Sequence, residues 1–120
     1  MIYTTYFAKV KSLPTGVIPV SICMRPPNGW RGEQMKSLAP DWGLINMWKD
    51  HLLSEAEFRE QYYKEVLAKK DPDAVVAAIH KKTGGRDFAL VCYEKTGDVC
   101  HRHYIADWLS EAGYPVKEFV

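Results

Sequence analysis

The side chains best suited to chemistry are concentrated in one short stretch of the chain, residues 92–102. It supplies two thiols, a carboxylate, an imidazole and a guanidinium, from Cys92, Glu94, Cys100, His101 and Arg102. Thiols act as nucleophiles, carboxylates and imidazoles as acids or bases, and guanidinium groups as anion binders. We therefore predict Cys100, Glu94, His101 and Cys92 as catalytic residues, and Arg102 as a ligand-binding residue.

The local sequence predicts that these side chains meet at one edge of a sheet. Residues 88–92 form an apolar run of strand length, and residues 93–97 form a polar connection with Lys95-Thr96-Gly97 as a turn. Asp98 is the predicted N-cap of a helix, because apolar residues then recur at helical spacing: Ile105, Trp108, Leu109 and Ala112. Ligands of open α/β sheets bind at the edge where the strands end.

The predicted helix start gives Cys100 and His101 different surroundings. With Asp98 as N-cap, Cys100 would lie near the second helical position, where the helix dipole favours a thiolate and an anion. The alternative is an inert, half-buried cysteine. His101 shares a helix face with the apolar residues and is expected to be buried and bonded to the 93–97 loop. Glu94 is expected to pair with Arg102 or with Arg25.

Spacing argues against three well-defined sites. A phosphatase loop needs an arginine six positions after its cysteine, whereas Asp98 lies there after Cys92. Structural zinc sites favour paired ligands such as C-x2-C, but Cys92 and Cys100 are eight residues apart, so zinc is weakly supported and would need Cys23 or a histidine. The chain also lacks a glycine-rich phosphate loop.

Length and composition predict one soluble globular domain over residues 1–120. Of the 120 residues, 47% are hydrophobic, and the net charge of +1 gives no global field that favours nucleic acid. Three cysteines without dense spacing are expected to be free thiols in a reducing cytosol. The first residues do not resemble a signal peptide and no apolar stretch is long enough to span a membrane, so we expect a cytoplasmic protein.

Strands and helices are predicted to alternate along the chain. Residues 2–10 and 17–24 read as strands, the second starting near Val20 because of Pro19, and residues 25–41 as a loop packed by Trp30 and Trp42. Helices are expected after the capping box at Ser54 and after Asp71-Pro72, and a last strand within 114–120. This order predicts a small, mostly parallel sheet flanked by helices, in a three-layer Rossmann-like arrangement.

The segment CYEKTGDVCHRHYIADWL resembles the signature of the DUF488 family: Cys-x-Glu ending a strand, then Cys-His-Arg opening a helix that ends near Trp-Leu. IYTTYFAKV and PVSICMRPP are similar to its first two strands, and LAPDW with Phe58 and Tyr62 is similar to features of a shorter branch. Many members carry an acid two residues before the arginine of the second strand, where this chain has Cys23. The resemblance implies an α/β domain with the five motif residues grouped at one edge, and it implies no substrate.

These observations lead to one main functional hypothesis and two alternatives. The main one is a small enzyme or ligand-binding protein for an anionic small molecule or nucleotide, with Arg102, Arg25, Tyr6 and Trp30 as ligand-binding residues and neither cofactor nor metal assigned. The first alternative is a nucleic-acid-binding module. It would use Trp30, Arg31, Tyr62, Tyr63 and the lysine pairs Lys69-Lys70 and Lys81-Lys82. The second is a buried structural cluster of Cys92, Glu94, His101 and Arg102 without catalysis. The sequence leaves the oligomeric state open.

Overall fold

The computed structural model describes residues 1–95 and 97–120. The strands within these residues are β1 (Ile2–Tyr6), β2 (Ile18–Ser21), β3 (Glu33–Gln34), β4 (Phe88–Cys92) and β5 (Val116–Glu118). The α-helices are α1 (Trp42–Lys49), α2 (Glu55–Glu65), α3 (Pro72–Thr83) and α4 (His101–Glu111), and short 3₁₀ segments span Phe7–Ser12, Lys36–Leu38 and Leu67–Lys69. In this part of the chain the strands form one five-stranded parallel sheet of order β3-β2-β4-β1-β5. The predicted α/β fold is confirmed.

The α-helices pack on one face of the sheet. Alternate residues of a strand point to opposite faces, so Phe88, Leu90 and Cys92 share a face. They belong to one apolar core with buried residues from each α-helix: Leu44, Phe58, Tyr62, Val75, Ile79, Ile105 and Leu109. The crossovers from β3 to β4 and from β4 to β5 run in the same direction across the sheet, whereas the crossover from β1 to β2 runs the other way. Right-handed crossovers therefore place the 3₁₀ segment 7–12 on the opposite face, as the third layer.

Several predicted element starts and ends are confirmed. Residues 88–92 are β4, and all five are buried. The capping box at the start of α2 is present, because Ser54 Oγ accepts a hydrogen bond from the Glu57 N–H and Glu57 Oε1 accepts one from the Ser54 N–H. Asp71 caps α3, and the expected last strand is β5, parallel to β1. The apolar run of β4 and the capping residues of α2 and α3 therefore predicted the positions of these elements correctly.

Three predicted boundaries differ from the structure. β1 ends at Tyr6, and the rest of the predicted strand is a 3₁₀ segment. β2 begins at Ile18 and includes Pro19, which is tolerated because β3 pairs with β2 only from Val20 onward. The predicted 25–41 loop contains β3, and Trp42 is the first residue of α1, where Asp41 Oδ1 accepts a hydrogen bond from the Leu44 N–H at 2.8 Å.

A search of the described residues found that none of their helices is both long and apolar enough to cross a membrane.

Candidate ligand-binding and thiol site

The start of α4 lies later in the chain than predicted. The helix begins at His101, and Cys100 is its N-cap with an extended backbone, so Asp98 as N-cap and Cys100 at the second helical position were wrong. The backbone N–H of Asp98 instead donates to the Lys95 carbonyl at 3.0 Å, which closes a turn before the helix starts. The predicted turn at 95–97 includes Thr96, which lies outside the described residues. Cys100 is thus at the junction between loop and helix.

The two cysteines of the motif are bonded to each other. The Sγ atoms of Cys92 and Cys100 are 2.10 Å apart, so the prediction of free thiols was wrong for this pair. The reason is tertiary: Cys92 ends β4 and Cys100 directly precedes α4, and the fold brings their two sulfurs together. Both residues are buried. Either sulfur can act as a nucleophile or a ligand only after this bond is reduced.

His101 is buried and hydrogen-bonded, as expected, but its partner differs from the predicted one. Nε2 lies 2.8 Å from the carbonyl oxygen of Ile22, which follows β2, rather than near the 93–97 loop. A carbonyl can only accept, so Nε2 carries the proton and the Nδ1 lone pair faces Cys100 Sγ at 3.8 Å. Burial lowers the pKa of His101 to about 4, so the imidazole is neutral near pH 7.

Arg102 is fully buried and binds three separate parts of the chain. Its Nε and Nη2 donate to the two carboxylate oxygens of Glu118 at 3.2 and 2.9 Å. Its Nη1 donates to the Glu94 carbonyl at 2.6 Å and to Cys92 Sγ at 3.0 Å, and its guanidinium lies 5.9 Å from the centre of the Tyr6 ring. The expected ion pair with the Glu94 carboxylate is thus replaced by one with Glu118, because β5 runs beside β1 near Arg102, whereas the Glu94 side chain is exposed.

A cavity of about 350 Å³ lies beside this cluster, at the carboxyl ends of β2 and β4. Arg25 and Lys49 contribute positive charge to its lining, and Glu94 contributes a carboxylate. Cys100 and His101 line it from the start of α4, and Cys23 lines it from the end of β2. Part of its wall is aromatic, formed by Trp42, Trp48, Phe58 and Tyr93, and aliphatic side chains complete the apolar lining.

The aromatic and cationic walls are held in place by specific contacts. The Arg25 guanidinium lies 6.0 Å from the centre of the Trp42 ring, and the Tyr93 hydroxyl donates to the Arg25 carbonyl at 2.6 Å. Trp48 and Phe58 stack with their ring centres 5.1 Å apart. A ligand would therefore enter a largely formed pocket, which reduces the ordering cost of binding.

Sequence reasoning assigned no function to the residues of α1 that line this cavity. Trp42, Ile45, Trp48 and Lys49 lie on one face of the helix toward the cavity. Asp41 before an apolar repeat at three- and four-residue spacing was the available signal, and it predicts a helix. Trp42, together with Trp30, was instead predicted to pack the loop of residues 25–41.

The structure places the predicted site residues in three different locations. Arg25, Glu94, Cys100 and His101 line the cavity. Tyr6, Cys92 and Arg102 are not among the described residues that line it, and they lie together behind Cys100. Trp30 packs against Phe7 at 5.1 Å, donates from Nε1 to the Glu33 carbonyl and lines a different cleft.

Cys23 is the one unbonded cysteine within the described residues, and we expect it to react slowly. Burial raises the pKa of its thiol to about 12, so at about pH 8 the thiolate fraction, and hence the alkylation rate, should be about a thousand-fold below those of an unperturbed cysteine. Iodoacetamide labelling followed by mass spectrometry measures this rate. The same protein in urea is the control, and equal rates with and without urea would contradict the prediction.

Most of the chain matches one known protein family. The family model described as the "Active DUF488-N3 subclade" matches residues 5–113. The chain belongs to the DUF488 family. The match spans β1 to the end of α4 and so includes the Cys-x-Glu and Cys-His-Arg motifs of this DUF488 protein. No curated protein and no solved structure was matched.

Proposed function

We propose that this DUF488 protein is a small enzyme or ligand-binding protein for an anionic small molecule with a planar group, with nucleotides as the leading class. The observation that carries the proposal is the cavity itself, in which aromatic walls, Arg25, Lys49 and the Cys100–His101 pair surround one space at the carboxyl edge of the sheet. This edge is where ligands of open α/β sheets bind. A volume of about 350 Å³ lies at the small end of the usual range for ligand pockets.

Binding would use the two kinds of wall for two parts of the ligand. A planar ring would stack on the indoles of Trp42 and Trp48, since aromatic side chains stack on any base. An anionic group would pair with Arg25, whose guanidinium already lies over Trp42, and with Lys49. Glu94, exposed at the same cavity, would repel an anion on its own side and so favour one orientation of the ligand.

Chemistry would depend on reduction of the Cys92–Cys100 bond. The Cys100 thiol would then lie beside the unprotonated Nδ1 of His101, a nucleophile next to its base. Glu94 would serve as an acid or base at the cavity opening. Arg102 would act as a positioning residue, because it contacts Cys92 Sγ and the Glu94 carbonyl and is fully buried. The description of the matched subclade as active supports an enzymatic role.

Binding is tested by titrating the reduced protein with adenosine monophosphate while following tryptophan fluorescence, with adenosine and inorganic phosphate as the two halves of the probe. We expect Arg25→Gln to weaken binding of the nucleotide by about ten-fold or more, the value of a charge-assisted hydrogen bond. Arg31→Gln is the matched control, because Arg31 is exposed and lines the other cleft. Equal losses in the two variants, or an absence of binding by the wild type, would contradict the proposal.

The same titration separates the alternatives. A nucleic-acid-binding module would bind an oligonucleotide far more tightly than the mononucleotide, with a strong dependence on salt. A purely structural cluster would leave all probes unbound while substitutions at Arg102 still lowered stability. The cytoplasmic location also remains a prediction, and a reducing compartment would suit the reduced form that the proposal requires.

A further inference from the structure

We propose that Cys92, Cys100 and His101 form a zinc site once the cysteine pair is reduced. One potential ligand atom from each residue lies within 4.8 Å of the others, and all three residues are buried. Two thiolates and an imidazole are a ligand set typical of zinc. Binding of the ion needs no nucleotide or other anionic ligand. In the metal-bound form, Cys100 Sγ and His101 Nδ1 would act as ligands in place of the nucleophile and base of the proposed function.

The histidine is already oriented as a metal ligand. Because Nε2–H donates to the Ile22 carbonyl at 2.8 Å, the lone pair of Nδ1 is left on the side of Cys100 Sγ. Metal-binding histidines usually donate their other ring N–H to a carbonyl or carboxylate in this way, which fixes the tautomer and the ring orientation. The hydrogen bond that buries His101 therefore also prepares it to bind an ion.

The Cα spacing of Cys92 and Cys100, and the position of Arg102 beside Cys92, suit a pair of thiolate ligands. Their Cα atoms are 7.5 Å apart, whereas bridged cysteines usually have Cα atoms about 4.4–6.8 Å apart. In a tetrahedral zinc site each thiolate sulfur lies about 2.3 Å from the metal, which places two such sulfurs about 3.8 Å apart. The zinc-bound form therefore accommodates a wider Cα spacing than a disulfide does. Arg102 Nη1 lies 3.0 Å from Cys92 Sγ and can donate to that thiolate, while Glu118 balances the guanidinium charge.

The metal site would form in two steps, reduction of the disulfide and then binding of the ion. A phosphine reductant takes up an oxygen from water and becomes a phosphine oxide, and its two electrons break the Cys92–Cys100 bond to give two thiols. Zn2+ binding then releases the two thiol protons to solvent, and the two thiolates and Nδ1 of His101 form the coordinate bonds. Three protein ligands leave a fourth position, which faces the cavity because Cys100 and His101 line it. An open position of this kind is typical of catalytic rather than structural zinc sites.

The test uses the full chain and Co2+, a spectroscopic substitute for zinc, added to reduced and to oxidised protein without any nucleotide. We expect the reduced wild type to bind one equivalent with a thiolate-to-cobalt charge-transfer band that zinc abolishes, and the oxidised protein to show no such band. Cys100→Ser and Cys92→Ser should lose the band, and His101→Gln should weaken binding by at least about ten-fold. His80→Gln is the matched control and should bind as the wild type does, because His80 is exposed and lies outside the three-atom group.

Two results would overturn the inference. The first is an absence of the charge-transfer band in the reduced wild type, which requires no substitution and so does not depend on whether a variant folds. The second is an equal loss of cobalt binding in His80→Gln and Cys100→Ser. Because no anionic probe is present, failure here leaves the nucleotide titration to be judged separately, and failure of that titration does not affect the metal result.

Discussion

Replacing Arg102 with methionine is expected to lower the free energy of unfolding by about 3–5 kcal/mol, as loss of one partner from a buried ion pair does. The guanidinium has 0% exposed surface, and the side chain of Glu118 is 21% exposed. Removal of Arg102 would leave the Glu118 carboxylate, the Glu94 carbonyl and Cys92 Sγ without the donor that each now has in Arg102. Urea-induced unfolding of the oxidised protein, followed by circular dichroism, measures the change.

Two further substitutions show whether geometry or charge matters at this position. Arg102→Lys keeps the charge but loses the planar fork that reaches both Glu118 oxygens, so it should fall between the wild type and methionine. Arg59→Met is the surface control: its ion pair with Asp107 has side chains 47% and 55% exposed, and its loss should cost about 1 kcal/mol or less. If Arg102→Met cost no more than Arg59→Met, the buried network would not stabilise the fold.

Acidification should destabilise the protein through His101. The pKa of this imidazole is about 4 in the folded state, because burial disfavours the charged form and Arg102 and His103 add repulsion, and about 6.5 when unfolded. Between these values the unfolded chain binds a proton that the folded protein does not. Stability from this group is therefore complete above about pH 6.5 and is lost as the pH falls toward 4, by about 3 kcal/mol in total.

The measurement is the free energy of unfolding in urea from about pH 7.5 to pH 4.5, for the oxidised, metal-free wild type and for His101→Gln. Glutamine cannot take up a proton in this range, and its amide can still donate to the Ile22 carbonyl. Carboxylates elsewhere titrate in both proteins, so the difference between the two curves isolates His101. Parallel curves would show that His101 does not contribute to the acid sensitivity.

The sequence predicted the elements that depend on local signals. The apolar run of β4 and the caps of α2 and α3 lie within a few residues of the structure they specify, so they can be recognised without the fold. The burial of His101 also follows from helix periodicity. Because β4 and α4 are consecutive, the motif residues were expected to group at the carboxyl edge of the sheet. Cys92, Cys100, His101 and Arg102 do lie together there.

The partners of these residues depend on tertiary structure and could not be predicted in the same way. Glu118 reaches Arg102 because β5 lies beside β1, a pairing that no local pattern specifies. The acceptor for His101 is a backbone carbonyl, and any residue at position 22 would provide one. The predicted start of α4 was wrong because aspartate is a favoured N-cap residue, which pointed to Asp98. In the structure α4 begins only at His101, after Cys100.

The pairing of Arg102 with Glu118 connects the sulfur pair to a distant part of the sheet. β5 is a three-residue edge strand, paired with β1 alone among the described strands, and edge elements open at a lower free energy than the core. Opening of β5 would remove the anchor of the guanidinium that contacts Cys92, even while β4 and α4 stayed folded. The network of contacts around the two sulfurs therefore extends to the edge of the sheet on the other side of β1. Local unfolding there would change the surroundings of the thiols without any change in the cavity.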